Sequence, residues 1–257
     1  MNAVLMGFLG SLLAGLGTSV GALPVLLPIT VSKQTQGLLL GFGGGVMLAA
    51  SSFSLIVPGT EAAMEQGYPV ALAALIMMVG VLMGGAVLWW ANENFPHEHF
   101  FKGKEGPETT KIKRIWLFII AITIHNFPEG LAVGVGYAGG DPASATALAT
   151  GIGVQNVPEG LVVAIALQNL GHSPLIALGM ATLTGLVEPA GGLLGAGIVS
   201  IAQPLLPWGM AFAAGAMLFV IVDEIIPDVD QKTLGNSGTA GLMVGFVIMM
   251  FLDIALG

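Results

Sequence analysis

His125-Asn126-Phe127-Pro128-Glu129-Gly130-Leu131 recurs thirty residues later as Gln155-Asn156-Val157-Pro158-Glu159-Gly160-Leu161. Each copy lies inside a long apolar stretch. If that stretch crosses a bilayer, a Glu near its centre costs about 2.5–3.5 kcal/mol on an insertion scale. A third acid, Glu188, occupies a similar place in the next apolar stretch, and no Lys or Arg falls within the core of any of them. An internal salt bridge is therefore ruled out. The carboxylates must hold protons, share them, or meet a cation brought from outside.

The rest of the chain supports a membrane setting. Charged residues make up 9% of the 257 and hydrophobic ones 55%, whereas soluble domains carry about 25% charged residues. Mean hydropathy is +0.90. This composition excludes a soluble enzyme, a disordered chain and a nucleic-acid binder. The 39 glycines follow no three-residue period, which excludes collagen. There is no Cys, so disulfides and thiolate metal sites are excluded. Residues 1–19 hold no Lys or Arg, so the basic region of a signal peptide is missing and the first apolar stretch is expected to persist as a span. No P-loop motif is present, which argues against a pump powered by ATP within this chain.

Apolar runs separated by short polar breaks predict an all-α polytopic membrane protein, a single transmembrane domain over residues 1–257. Eight spans are expected near 3–29, 36–58, 69–91, 114–139, 143–170, 173–201, 205–227 and 237–256. The hydrophilic segment 92–113 joins spans three and four. Lys33, Lys102, Lys104, Lys111, Lys113, Arg114 and Lys232 all fall on one side of this arrangement, which the positive-inside rule makes cytoplasmic. Both termini then face outward from a cell inner membrane. Consecutive spans run in opposite directions, so the two motif copies form an inverted repeat around spans four and five. Related half-sites meeting near the midplane are how inverted-repeat transporters build a substrate site.

Spacing on a helix brings the polar groups of each copy together. His125 and Glu129 are four apart and share a face, as do Asn126 and Glu129, three apart; Gln155, Asn156 and Glu159 repeat the arrangement. One imidazole, several carboxylates and amide oxygens suit zinc or another divalent first-row ion, and Met47 in span two can add a soft ligand. Pro128, Pro158 and Pro189 each adjoin one of the three acids and cannot donate to the carbonyls of Ile124, Val154 and Gly185. Kinked backbone with freed carbonyls at membrane depth is tolerated where it faces protein or a water-filled cavity. A polar cavity between helices is expected.

The paired motifs, eight spans and a charged, His-containing loop after span three resemble the ZIP (Zrt/Irt-like) metal transporters of bacterial type, over essentially the whole chain. The resemblance implies a two-metal site, with up to two Zn2+ or related ions per subunit as substrate and no cofactor. The first metal would meet His125, Glu129, Gln155 and Glu159, with Met47 close by. The second would meet Asn126, Glu129, Asn156, Glu159 and Glu188. Many members have His where Gln155 stands and some bacterial relatives have Asp where Asn156 stands, so nitrogen ligation at the first site and charge at the second are both reduced here.

The function expected is secondary import of Zn2+, Fe2+, Mn2+, Co2+ or Cd2+ by alternating access, without enzymatic activity. The alternatives are a proton- or sodium-coupled carrier of an organic solute and an intramembrane metalloprotease; the His-Glu-x-x-His motif the latter needs is absent. Glu61 and Asp253 are expected at the outer mouth of the pathway, and Asp223 and Glu224 at the inner mouth with Asp228 and Asp230 beyond. His97 and His99 can hold metal weakly in the loop. Partners expected are divalent metal ions and the bilayer, and small-residue faces would allow two copies to pair as a homodimer.

Overall fold

The computed structural model describes residues 2–28, 30–94, 98–99, 103–104, 111–139, 141–229 and 236–256, with side chains throughout except at 98–99, 103–104, 111–122 and 124. Among these the chain forms eight long helices. They are α1 (Ala3–Leu26), α2 (Lys33–Glu65), α3 (Val70–Asn94) and α4 (Lys111–Ala138), then α5 (Pro142–Asn169), α6 (Pro174–Ile201), α7 (Gln203–Val229) and α8 (Ser237–Leu256). Seven are long and apolar enough to cross a membrane. The other, α4, has 28 residues, more than a bilayer requires. The chain is an all-α polytopic membrane protein. A two-residue antiparallel pairing of Glu98–His99 with Gly103–Lys104 lies between α3 and α4. His97, Asp230 and Lys232 lie outside the described residues, and of His99 only the backbone is described.

Local chemistry sets the helix ends. The side chains of Asn2, Ser32, Asp141 and Ser173 each accept a backbone N–H of a first turn, at Val4, Thr35, Ala143 and Ile176. Pro142 and Pro174 follow two of these caps, where a missing N–H does no harm. After α2 and α5 the chain reverses at Gly67 and Gly171, whose φ of +91° and +88° are values that other residues rarely adopt.

Three spans depart from the expected outline. The second runs on to Glu65 because residues Ala50–Ile56 widen into a π-helix just ahead of Pro58. The seventh does the same over Ile221–Ile225, just ahead of Pro227. A π turn relieves the clash that a proline ring makes with the preceding turn. The sixth breaks at Leu186 and Val187 into Pro174–Gly185 and Glu188–Ile201. By contrast, α4 and α5 continue as α-helices through Pro128 and Pro158, so those two prolines free a carbonyl without interrupting the helix.

The helices assemble as two groups. In one, α1 packs along α5 and α6, and α4 packs along α6; in the other, α2 packs along α8 and α3 along α7. Contact at the site is backbone against backbone: a Cβ on Gly130 of α4 would overlap the carbonyl oxygen of Glu188 in α6. Leu13, Leu82, Phe251 and Ile254 project from the outside of the bundle, where a bilayer would cover them.

Candidate metal centre

The two motif copies meet. Gln155 Nε2 on α5 donates to Glu129 Oε1 on α4 over 2.6 Å, joining the first polar residue of one copy to the acid of the other. A cavity of about 20 Å³ opens beside them, lined by Met47 and Gly43 of α2, His125 and Glu129 of α4, Glu159 of α5 and Ile225 of α7. That volume suits one water or one ion. The structure thus gathers Met47, His125, Glu129, Gln155 and Glu159 in one place.

A second polar cluster starts at the next residue of α5. Asn156 Nδ2 donates to Glu188 Oε1 over 2.7 Å and to the carbonyl oxygen of Ala14 in α1 over 2.8 Å. Glu188 is the first residue of the second half of α6, where the helix dipole favours a negative charge. Asn126 of α4 is also fully buried.

The decisive feature is a surplus of acceptors. Gln155 donates to Glu129, and Asn156 donates to Glu188 and to the Ala14 carbonyl. Glu129 Oε2, Gln155 Oε1, Asn156 Oδ1 and Glu188 Oε2 are then left buried without a hydrogen-bond partner. Unpaired buried acceptors are costly and rare, and four of them lie in neighbouring clusters, two on carboxyl groups, an arrangement that a positive ion could satisfy. Among the described residues no three His, Asp or Glu side chains converge as a ready metal cage. The imidazole accounts for part of this, since His125 Nε2 lies 2.6 Å from Glu224 Oε2 and is engaged there.

Sequence comparison agrees with the chemistry. Residues 96–253 match the family model described as ZIP Zinc transporter. Over 251 residues the chain is 47% identical to zinc transporter GufA of Myxococcus xanthus, covering 98% of this chain and 99% of that relative. The chain belongs to the ZIP zinc transporter family. It is also 43% identical over 258 residues to zinc transporter ZIPB of Bordetella bronchiseptica, spanning all of this chain and 84% of the relative. Zinc transporter ZupT of Chlorobium phaeovibrioides is 31% identical over 274 residues, 97% of either chain. ZIP membership makes the chain a multi-pass membrane transporter rather than an enzyme, and the protease alternative has no support.

Of the residues expected along the route, Glu61 lines a cavity of about 190 Å³ with Ser54, Glu65, Asp141 and Ser144. Ser54 Oγ donates to Asp253 Oδ1 over 2.6 Å, which ties Asp253 to the same mouth. At the opposite end Asp223 Oδ2 accepts from Asn92 Nδ2 over 2.7 Å. Glu224 and Asp228 are almost fully buried rather than solvated at a membrane edge. The sequence reading passed over Ser54, Glu65, Asn92 and Asp141. Only Glu65 carried a signal, its four-residue spacing from Glu61 on one helix face.

Proposed function

We propose that this ZIP chain imports Zn2+ or a similar divalent transition metal into the cytoplasm as a secondary transporter. The observation that carries this reading is the set of buried acceptor oxygens without donors around Glu129. A divalent ion in the small cavity would take His125, Glu129, Gln155 Oε1 and Glu159 as ligands with Met47 alongside, exchanging its hydration shell for them. A second cation would be held at Asn156 and Glu188, with Asn126 on the neighbouring α4. Ligands bind metal only when deprotonated, so affinity falls as pH drops.

Access alternates as the group containing α1, α4, α5 and α6 moves against the other. The ligands of the first site come from both groups, Met47 from α2 and the rest from α4 and α5, so such a motion would assemble and dismantle the cage. The basic residues set the direction in an inner membrane: Lys33, the 92–113 loop and Lys232 on the cytoplasmic face, both termini outside. The test is uptake into proteoliposomes loaded with a zinc-sensitive dye. Wild type should fill and the His125→Ala, Glu159→Ala double variant should not; normal uptake by that variant would overturn the site.

A further inference from the structure

We infer that the second cation in this chain is a sodium-sized monovalent ion, held between α1, α5 and α6 by Thr18 Oγ1, Asn156 Oδ1, Glu188 Oε2 and the carbonyl oxygen of Gly185. The identity of this ion as the second one rests on the transport reading above; its binding does not.

Each oxygen reaches the site for a local reason. Gly185 O loses its helical donor because Pro189 has no N–H, and α6 breaks between the two residues. That carbonyl faces α1, where a Cβ on Gly15 would overlap it and would lie 3.3 Å from Glu188 Oε1. Thr18 is fully buried and its hydroxyl has no partner. The carbonyl one turn back, Ala14 O, which a helical Thr ordinarily takes, is occupied by Asn156 Nδ2 at 2.8 Å. Thr18 Oγ1 stands at the break in α6, 3.0 Å from where a Cβ on Gly185 would be. With its N–H groups on Ala14 O and Glu188 Oε1, Asn156 has only Oδ1 left, and that atom is orphaned, as is Glu188 Oε2.

The charge and hardness of this set choose the ion. It offers a single carboxylate, an amide oxygen, a hydroxyl and a backbone carbonyl, and no nitrogen or sulfur. A single carboxyl group among neutral oxygens suits a singly charged cation, and neutral oxygens with an unwound carbonyl are how broken membrane helices hold Na+. A transition metal is better served by the imidazole and paired carboxylates next door. Gln155 and Asn156 are adjacent on α5, so the two sites share one helix.

The experiment measures radioactive sodium binding to the full-length protein in detergent, in divalent-free buffer, with zinc binding by calorimetry on the same preparations. Wild type should bind sodium saturably, one ion per chain. Thr18→Val should weaken sodium binding about tenfold or more, as expected for loss of one buried ligand, while zinc binding is kept. Thr18→Ser should restore sodium binding. No saturable sodium binding by zinc-competent wild type would overturn the assignment. So would unchanged binding in Thr18→Val, or zinc displacing the bound sodium one for one. Sodium binding without zinc binding would leave this site standing and defeat the transport reading instead.

Discussion

His125 Nε2 on α4 lies 2.6 Å from Glu224 Oε2 on α7, so an imidazole of one helix group is held by a carboxylate of the other. A cation that takes His125 must first displace Glu224, and binding is thereby linked to release of one group from the other. A hydrogen bond to a charged partner contributes about 1.5–3 kcal/mol, so loosening it should improve zinc binding several-fold. Glu224→Gln keeps the shape and removes the charge. Calorimetric titration should show tighter zinc binding by this variant, and unchanged affinity would mean that His125 binds metal without leaving Glu224.

Glu129 is fully buried with one oxygen bonded to Gln155 and the other bonded to nothing. Such a group destabilises the metal-free protein and is retained for what it binds. Glu129→Gln should therefore raise the melting temperature without zinc and abolish the further rise that zinc produces. For wild type that rise follows mass action, about 2.7 kcal/mol at a hundredfold excess over Kd. A variant that melts lower without zinc, or is still stabilised by it, would contradict the role given to Glu129.

Much of the fold is legible in the sequence. Midplane acids without basic partners, together with the duplicated motif, point to a cation site; the apolar runs call for helices, and eight long ones are seen among the described residues. What stayed hidden depends on depth and rotation about a helix axis, which hydropathy does not encode. Glu224 is expected at the inner mouth with Asp228 beyond it, yet the π turn at Ile221–Ile225 belongs to the segment that carries Glu224 to His125. In the sequence Thr18 is one small polar residue of span one, with nothing to mark it. Only the loss of Ala14 O to Asn156, a contact 142 residues away in the chain, leaves its hydroxyl without a partner.

Asn156 stands where an acid would double the negative charge beside Glu188. Asn156→Asp replaces a donor already committed to Glu188 Oε1 and Ala14 O with a second carboxylate. Two carboxylates favour a divalent ion over a monovalent one. Metal analysis of zinc-saturated protein should rise from one zinc per chain in wild type to two in the variant, and sodium should no longer compete. An unchanged ratio would show that charge at this position does not select the ion.

Gly130 and Gly179 are both helical glycines, but their surroundings differ. A Cβ on Gly130 would overlap the Glu188 carbonyl, whereas one on Gly179 meets no atom within 4 Å. Gly130→Ala must push α4 from α6 and should destabilise by about 1–3 kcal/mol, with loss of zinc binding because Glu129, the preceding residue of α4, is shifted from Gln155 of α5. Gly179→Ala gains helix propensity of up to about 1 kcal/mol and should melt at or above the wild-type temperature. Equal effects from the two would mean that the close approach of α4 and α6 does not hold the site.

Asp141 caps α5 at the mouth of the larger cavity. Its carboxylate accepts the Ser144 hydroxyl and the backbone N–H groups of Ala143 and Ser144, and these bonds, the Ser144 hydroxyl foremost, hold its pKa below the usual Asp value. A depressed folded-state pKa means stability that is fully present above the unfolded value near about 3.9 and is lost as pH falls through the lowered one. Asp141→Ala should cost about 0.5–2 kcal/mol at neutral pH, the usual worth of a cap. The difference in melting temperature between wild type and variant should hold steady down to roughly pH 5 and shrink in stronger acid. A difference that grows with acid would show that the cap works in its protonated form and that the ionised carboxylate is not what holds the start of α5.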